Sequence, residues 1–450
     1  MNNLAHISHF YFIGIGGIGM SALARYFNAQ GKNVAGYDKT PSRLTGELQD
    51  EGIVIQFEDV IDNIPSPYLD KDKTLVVYTP AIPSSHLQLG FFKTEQFKVV
   101  KRAELLGWIT KETTCLAVAG THGKTTTSAI LGHLLAACDV PVTAFLGGIC
   151  ENYQSNIIIN GSEVTVVEAD EFDRSFLNLS PDIACVTSMD ADHLDIYNTH
   201  QALQESFKEF ASLVPDNGTL FKSNGLPIEG QSVGIEDDAQ FRAENVRIKD
   251  GGYLFDLVTP NEHLKNLQFF LPGHHNLLNA VTALGMAIAI GSPTHCLPKA
   301  LHDFKGVRRR FSYRIKTDDL VVIDDYAHHP SEIDAVFQAV TEFYPEQKKL
   351  VVFQPHLFSR TRDFGPQFAK SLAAFDSVLL LDIYPARELP IKGVDSSWLL
   401  DQINHSNKRL ISKSAIAEQI KKSGCSIVLL LGAGDIGEEV VHIVNRLNEE

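Results

Sequence analysis

The chain has no C-x-x-C pair, no long apolar run and a shortage of positive charge, and each absence closes off a class of protein. Its six cysteines (Cys115, Cys138, Cys150, Cys185, Cys296 and Cys425) lie scattered over 450 residues. That spacing is poor material for a zinc site or a disulfide framework. It fits a reducing compartment, so a cytoplasmic location is expected. No apolar stretch approaches the roughly 18 residues of a membrane span. The opening MNNLAHISHFYFIG lacks a basic region followed by a long apolar one, so neither a signal peptide nor membrane insertion is expected. With 39 basic against 55 acidic residues the formal charge is −16. That field repels nucleic acid and anionic membranes, so a phosphate ligand must be held by a local site. There is no low-complexity tract and no short-period repeat.

What is present is the makings of several cores. Hydrophobic residues reach 44% and charged residues 21%, the ordinary range of a globular chain. At roughly 100–200 residues per domain the length suggests two to four domains. Short apolar runs alternate with longer helical stretches: FYFIGIG, NVAGYD, LVVYTPA, CLAVAG, TVVEAD, ACVTS, LVVIDDYA, KLVVFQPH, SVLLLDIY and SIVLLLGAG. Each run ends in Gly, Pro or a polar residue, the pattern of buried parallel strands in an α/β fold. Three blocks emerge, 1–108, 109–310 and 311–450, each expected to carry a mostly parallel sheet. The first boundary falls in the polar WITKETT, the second at the basic run Arg308, Arg309, Arg310. Residues 216–268, rich in Gly, Asn and Asp, read as a peripheral β region of the middle block.

Two glycine-rich turns stand out. Gly14, Gly16 and Gly19 satisfy G-x-G-x-x-G, with Gly17 inside the loop, between the strand FYFI and a helical stretch. Glycines there let the chain turn tightly and let a diphosphate approach the backbone at a helix N-terminus. Asp38, some twenty residues on, closes the next strand and could bind a ribose hydroxyl. The alternative is a tight strand–helix turn with no ligand, and the glycines do not choose between NAD and a UDP-sugar. The same pattern recurs at Gly432, Gly434 and Gly437, where a purely structural turn is at least as good a reading.

The second turn is the strongest signal. In CLAVAGTHGKTTTSAILGHLLAA a strand runs into Gly120, Thr121, His122, Gly123, Lys124, Thr125 and Thr126, and a helix begins. Backbone N–H groups at a helix start cradle phosphates, Lys124 would reach the terminal phosphates, and the Thr125 hydroxyl would bind Mg²⁺. The strict phosphate-loop pattern fails, because Val118 occupies its first glycine position; Gly120 makes a tighter variant. Glu168 follows the strand VTVV, and His193 lies after IACVTS. A carboxylate and an imidazole at two strand ends suit Mg²⁺ beside a nucleotide. Taken singly, Glu168 reads equally well as a solvated loop acid and His193 as a packed one.

These residues resemble the Mur ligase family. GTHGKTTT is similar to that family's ATP loop, and FIGIGGIGM to its UDP-muramate loop. VEADEFDRSF, DADHLDIY, PGHHNLLNA, FKGVRRRF, DDYAHHP and FQPHLFSRTRDF each match a family motif, in the family's order along the whole chain. Folate-polyglutamate synthetases are more distantly similar. The resemblance implies an ATP-dependent amide-forming ligase with ATP and Mg²⁺ as cofactors. It implies that Lys124, Glu168, His193 and Arg310 are catalytic and that Thr125, Glu168 and His193 hold the metal. Asn276 would lie by the adenine, Arg309 and Arg310 by the ATP phosphates, and Tyr326, His328 and Arg360 by the incoming amino acid. Alone, Asn276 reads as a helix cap, the arginines as a solvated face and Tyr326 as core.

DDYAHHP and FQPH…SRT look like the branch that adds L-alanine to UDP-N-acetylmuramate. The recycling branch, which attaches a tripeptide, usually replaces the second motif with an EPR-type sequence. Some alanine-adding members carry Arg just after FQPH, where this chain has Leu357; that leaves Arg360 as the candidate carboxylate contact. The carbamylated lysine of other branches is not evident. The chemistry implied is attack of the muramate carboxylate on ATP, then of the alanine amine on the acyl phosphate, in three domains that close to exclude water. The partners implied are UDP-N-acetylmuramate and L-alanine, with the chain a monomer or homodimer. Two readings of other classes compete. An NAD(P)-dependent oxidoreductase built on Gly14–Gly19 leaves GTHGKTTT unexplained. A non-catalytic nucleotide-binding regulator sits poorly with an intact Lys124, Glu168 and His193.

Overall fold

The structure, a computed structural model, describes residues 4, 6–190, 197, 199–386 and 388–449. Among them three sheets form. The first joins β1 (His9–Ile13), β2 (Asn33–Tyr37), β3 (Val54–Gln56), β4 (Thr74–Tyr78) and β5 (Lys98–Lys101) in the order β3-β2-β1-β4-β5. Every neighbouring pair is parallel. Phe10, Tyr11, Phe12 and Ile13 are wholly buried, as a central strand covered on both faces requires. The chain leaves β1 toward β2 on one side, while β4 lies on the other. The Gly14 loop therefore opens at the switch point of the sheet, where α/β folds form a crevice.

The second sheet contains β6 (Thr114–Ala119), β7 (Val142–Cys150), β8 (Ser155–Ile159), β9 (Val164–Ala169), β10 (Ile183–Val186), β11 (Thr219–Ser223), β12 (Gln231–Ile235), β13 (Phe241–Lys249), β14 (Gly252–Val258) and β15 (His263–Phe269). Its order is β15-β14-β13-β12-β11-β10-β6-β9-β7-β8. The register decides the site: Ala119 of β6 pairs with Ala169 of β9 and with Val186 of β10, all parallel. Three loops, starting at Gly120, Asp170 and Thr187, thus leave the same edge side by side. The third sheet joins β16 (Ser312–Lys316), β17 (Val321–Asp325), β18 (Lys349–Phe353), β19 (Ser377–Leu380), β20 (Lys408–Leu410) and β21 (Ile427–Leu431) in the order β16-β17-β21-β18-β19-β20. Only its edge pair β16–β17 is antiparallel among the pairs described. The fold is thus α/β with three mostly parallel sheets, and all ten apolar runs read from the sequence contain strands.

The chain divides into two compact units, one of residues 1–246, 255–268 and 278–305, the other of 247–254, 269–277 and 306–450. The first sheet and most of the second share a unit because the helix Ile18–Ala29, which follows the Gly14 loop, packs on β7 and β8. Asn156 of β8 is fully buried there. Its amide donates to the Ile18 carbonyl (2.6 Å) and to Ser21 Oγ (2.8 Å), and its oxygen accepts from Arg25 (2.5 Å). Arg25 in turn pairs with Glu51 at 2.7 Å. A buried polar set satisfied this fully fixes one arrangement, since any shift would leave desolvated groups unpaired.

The cysteines correct the sequence reading. Cys138 and Cys296 are joined by a disulfide, and Cys115, Cys150, Cys185 and Cys425 are buried thiols. The bonded pair is 158 residues apart in sequence. Packing of the helix Lys124–Ala137 against the helix Leu297–His302 brings the two together, and no spacing rule reaches across such a separation.

Candidate active site

The phosphate-loop candidate is built where the three strand ends meet. Gly120 has φ +131° and Gly123, which begins the helix Lys124–Ala137, has φ +85°, conformations that favour glycine. Space demands glycine as well: a Cβ on Gly120 would run into Thr187, and one on Gly123 would lie 2.5 Å from Asn279 Oδ1. The loop is sewn to the end of β10. Thr121 N–H donates to the Ser188 carbonyl (3.1 Å), His122 N–H to Ser188 Oγ (2.8 Å), and Thr121 Oγ1 to the Asp190 carbonyl (3.0 Å). His122 also approaches the Asp190 carboxylate at 3.7 Å. Thr125 and Thr126 are buried in the first turn of the helix.

Lys124 Nζ donates to the Gly120 carbonyl (2.6 Å), the Thr121 carbonyl (3.3 Å) and both Glu171 oxygens (3.0 and 2.8 Å). Burial works against its charge, yet the carboxylates of Glu171, Asp170 and Glu168 raise its pKa above the ordinary lysine value. Glu168, at the end of β9, accepts from Gly147 N–H (2.5 Å), Ser128 Oγ (3.1 Å) and Thr125 Oγ1 (3.2 Å). Burial raises its pKa; the donors and Lys124 oppose that. A half-buried carboxylate flanked by two hydroxyls at the edge of a cleft is a hard-oxygen donor set, the kind Mg²⁺ takes. His193, the imidazole expected beside it, lies outside the described residues.

The first loop faces the same space. Gly14 has φ +87°, and a Cβ there would lie 2.8 Å from Thr79 Cγ2. Gly16 N–H donates to Asp38 Oδ2 at 2.7 Å, and Asp38 Oδ1 accepts from Thr40 N–H at 3.2 Å. Asp38 therefore braces the loop as well as facing the cleft. Gly17 starts the helix Ile18–Ala29, and Gly19 packs against Arg102. One cleft of about 1000 Å³ is lined by Gly14, Gly16, Gly17, Gly19 and Asp38 from the first loop. Lys124, Gly147, Glu168 and Asp170 line it from the second sheet.

The third sheet gathers another set. Tyr326 and His328 follow β17; their rings lie 5.3 Å apart, and His328 Nδ1 is 2.9 Å from the Tyr326 carbonyl. Burial, with Arg360 and Arg310 nearby, lowers the His328 pKa despite Glu332. Arg360, on the helix Phe358–Asp363, has Nη1 3.5 Å from His356 Nδ1. Leu357 starts that helix at φ +70°, a strained conformation for leucine. It is held because its N–H donates to the Tyr384 carbonyl (3.0 Å) and its carbonyl accepts from Thr361 N–H (3.1 Å) and Oγ1 (2.7 Å). Arg309 and Arg310 each lie 5.2 Å from the Tyr326 ring centre.

Arg309 and Asn276, which the resemblance implies lie near ATP, make the following contacts. The Arg309 guanidinium is committed within its own unit, donating to the Gly432 and Gly434 carbonyls and to Asp324. Asn276 donates to the Pro272 carbonyl at 2.7 Å, a bond that secures the start of the helix His274–Ala289. The asparagine against the phosphate loop is Asn279. Sequence reasoning also passed over Glu171, Gly147 and Ser128. Glu171, in the same VEADEF segment as Glu168, had a signal available; Gly147, which lies opposite Glu168 only once β7 and β9 pair, had none.

Fold and site define an α/β nucleotide-binding protein in which a phosphate loop and a second glycine-rich loop face one cleft. Three family models match in order: Mur ligase family, catalytic domain, over 9–114; Mur ligase middle domain over 118–287; and Mur ligase, glutamate ligase domain, over 309–434. The chain belongs to the Mur ligase family. It is 62% identical over 451 residues to the UDP-N-acetylmuramate–L-alanine ligase of Christiangramia forsetii and 61% identical over 448 residues to that of Flavobacterium psychrophilum, with 100% of each chain covered. Among solved structures it resembles UDP-N-acetylmuramate-alanine ligase MurC of Thermotoga maritima, with TM-score 0.82, 27% identity, and 97% of this chain and 98% of that one covered. A murein peptide ligase of Psychrobacter arcticus shares the fold, with TM-score 0.70 at 19% identity over 98% and 99% of the two chains.

Proposed function

We propose that the protein joins L-alanine to UDP-N-acetylmuramate at the cost of ATP, in peptidoglycan precursor synthesis. The observation that carries this is the single cleft bordered by the Gly14–Gly19 loop and by Lys124 and Glu168. A diphosphate held on the first loop would extend its sugar toward the phosphate loop. The names of full-length relatives above 60% identity support the same substrates.

The muramate carboxylate attacks the γ-phosphate, and ADP leaves. The alanine amine attacks the acyl carbon, loses a proton, and phosphate leaves. No protein nucleophile is required. Lys124 spreads the charge that develops on the transferring phosphoryl group, and the N–H groups at the start of its helix hold the remaining oxygens. Thr125, Glu168 and His193 would hold Mg²⁺, which supplies further charge neutralisation when bound. Arg310, beside Tyr326, offers a planar fork to an oxyanion, and Arg360 one to the alanine carboxylate, with Tyr326 and His328 shaping the amino-acid site. Domain boundaries near 108 and 310 and a cytoplasmic location belong to the same reading; no helix among the described residues is long and apolar enough to cross a membrane.

Phosphate release tests it. With ATP, Mg²⁺ and UDP-N-acetylmuramate, release should depend on L-alanine and be weaker with glycine or L-serine. Release driven by the tripeptide instead would move the chain to recycling chemistry. No release with any acceptor would remove the ligase reading.

A further inference from the structure

We infer that Glu171 is the resting counter-ion of Lys124, one the nucleotide must displace, so that this carboxylate sets how tightly the loop holds ATP and how readily it releases ADP. The inference rests on the reading of residues 120–125 as the ATP loop. An ammonium has three N–H bonds, and the Gly120 carbonyl, the Thr121 carbonyl and the Glu171 carboxylate account for all three. A polyphosphate entering the cleft meets a lysine whose donors are already engaged.

Burial makes the pair asymmetric. The Glu171 side chain is 0% exposed, whereas Lys124 is 16% exposed and borders the cleft. The carboxylate also sits on an anchored turn: Tyr197 Oη donates to the Glu171 carbonyl at 2.6 Å, and Phe172 N–H to Asp170 Oδ1 at 3.1 Å. The flexible four-carbon stem belongs to the lysine. Exchange of partner therefore means that Lys124 swings from Glu171 to phosphate and returns when the product leaves. Glu168 has a different office, since Gly147, Ser128 and Thr125 supply its hydrogen bonds.

Competition of this kind lowers apparent affinity by the fraction of time the lysine is free. Glu171→Gln keeps the shape and removes the competing charge. In the full-length enzyme it should tighten binding of ADP and of a non-hydrolysable ATP analogue with Mg²⁺ by about tenfold. Turnover number and KM for ATP should fall together, as ADP leaves more slowly, with kcat/KM for UDP-N-acetylmuramate unchanged. Glu171→Asp, which keeps the charge one methylene further off, should tighten binding less and serves if the glutamine variant fails to fold. A merely structural role predicts a lower melting temperature with nucleotide affinity unchanged or weaker, and that result in a folded variant overturns the inference. If the unaltered enzyme binds neither nucleotide by calorimetry, the ATP-loop reading falls instead, and the two failures are thereby told apart.

Discussion

Two turns of this chain carry the same glycine pattern and end differently. At Gly14, Gly16 and Gly19 the turn lines a cleft, although Thr79, Asp38 and Arg102 also come close to it. At Gly432, Gly434 and Gly437, after β21, the corresponding space is filled from within. Arg309 donates to the Gly432 and Gly434 carbonyls, and a Cβ on Gly437 would run into its guanidinium. Gln354 accepts the Ile436 N–H at 2.9 Å, at the start of the following helix, where an open turn would offer that donor to an anion. A Cβ on Gly434 would lie 2.7 Å from Tyr384 Cβ. The glycines thus specify that something comes close to the backbone. Whether it is a ligand or the protein's own side chain is settled by residues distant in sequence, from 50 positions (Tyr384 to Gly434) to 125 (Arg309 to Gly434).

Four experiments would break or sharpen that contrast, taken from the largest expected effect. Lys124→Ala removes the cation of the loop that is open to nucleotide. It should cost on the order of 3–4 kcal/mol in the transition state, hundreds-fold in phosphate release, with the fold intact. Near-normal release from a folded variant would sink the phosphate-loop assignment.

Arg309→Ala empties the plugged turn and leaves buried Asp324 short of a partner. Unfolding should be easier by roughly 2–3 kcal/mol, read as a lower denaturation midpoint, with KM for ATP little changed. A large rise in that KM at unchanged stability would return Arg309 to the ATP phosphates and undo the comparison. Gly16→Val forces a Cβ to within 2.8 Å of Asp38 Oδ2 and of Thr45 Cγ2 in the open turn. KM for UDP-N-acetylmuramate should rise about tenfold, ~1.4 kcal/mol, while ATP affinity holds. The reverse pattern would exchange the two loops' ligands.

The last concerns pH. Asp325 borders the plugged turn, its carbonyl accepting from Gly432 N–H, and burial pushes its carboxyl up to about 6 despite Arg310. A carboxyl raised in the folded state binds its proton there more readily than in the unfolded chain. Its contribution is full below about pH 4 and is lost as pH rises through about 6, with a slope of at most ~1.4 kcal/mol per pH unit. Chemical denaturation at stepped pH should show that fall, and Asp325→Asn should abolish it; a flat profile in the unaltered protein would contradict the assignment.

Much of the architecture was legible because buried parallel strands write themselves as continuous apolar runs, and FYFI, CLAVA and IVLLL need no partner to be recognised. The strand–turn–helix at 114–137 was legible because its signals are local: glycines for the turn, Lys124 and Thr125 at the first residues of a helix. The edge hairpin β7–β8 went unread, although Gly147 and Asn156 both come from it. The two strands form an antiparallel hairpin that interrupts the strand–helix alternation, and the roles of its residues arise only from what packs opposite.

By itself, then, the sequence determined which segments turn, which become strands, and that a glycine-rich loop and a helix starting at Lys124 follow β6, since these depend on neighbours a few residues away. Tertiary structure alone decided that Arg309 fills one glycine turn while another lines a cleft, that Glu171 pairs with Lys124, and that Cys138 meets Cys296. Each of those joins groups between 47 and 158 residues apart. Their partners are chosen by strand register and helix packing, and no local pattern encodes either.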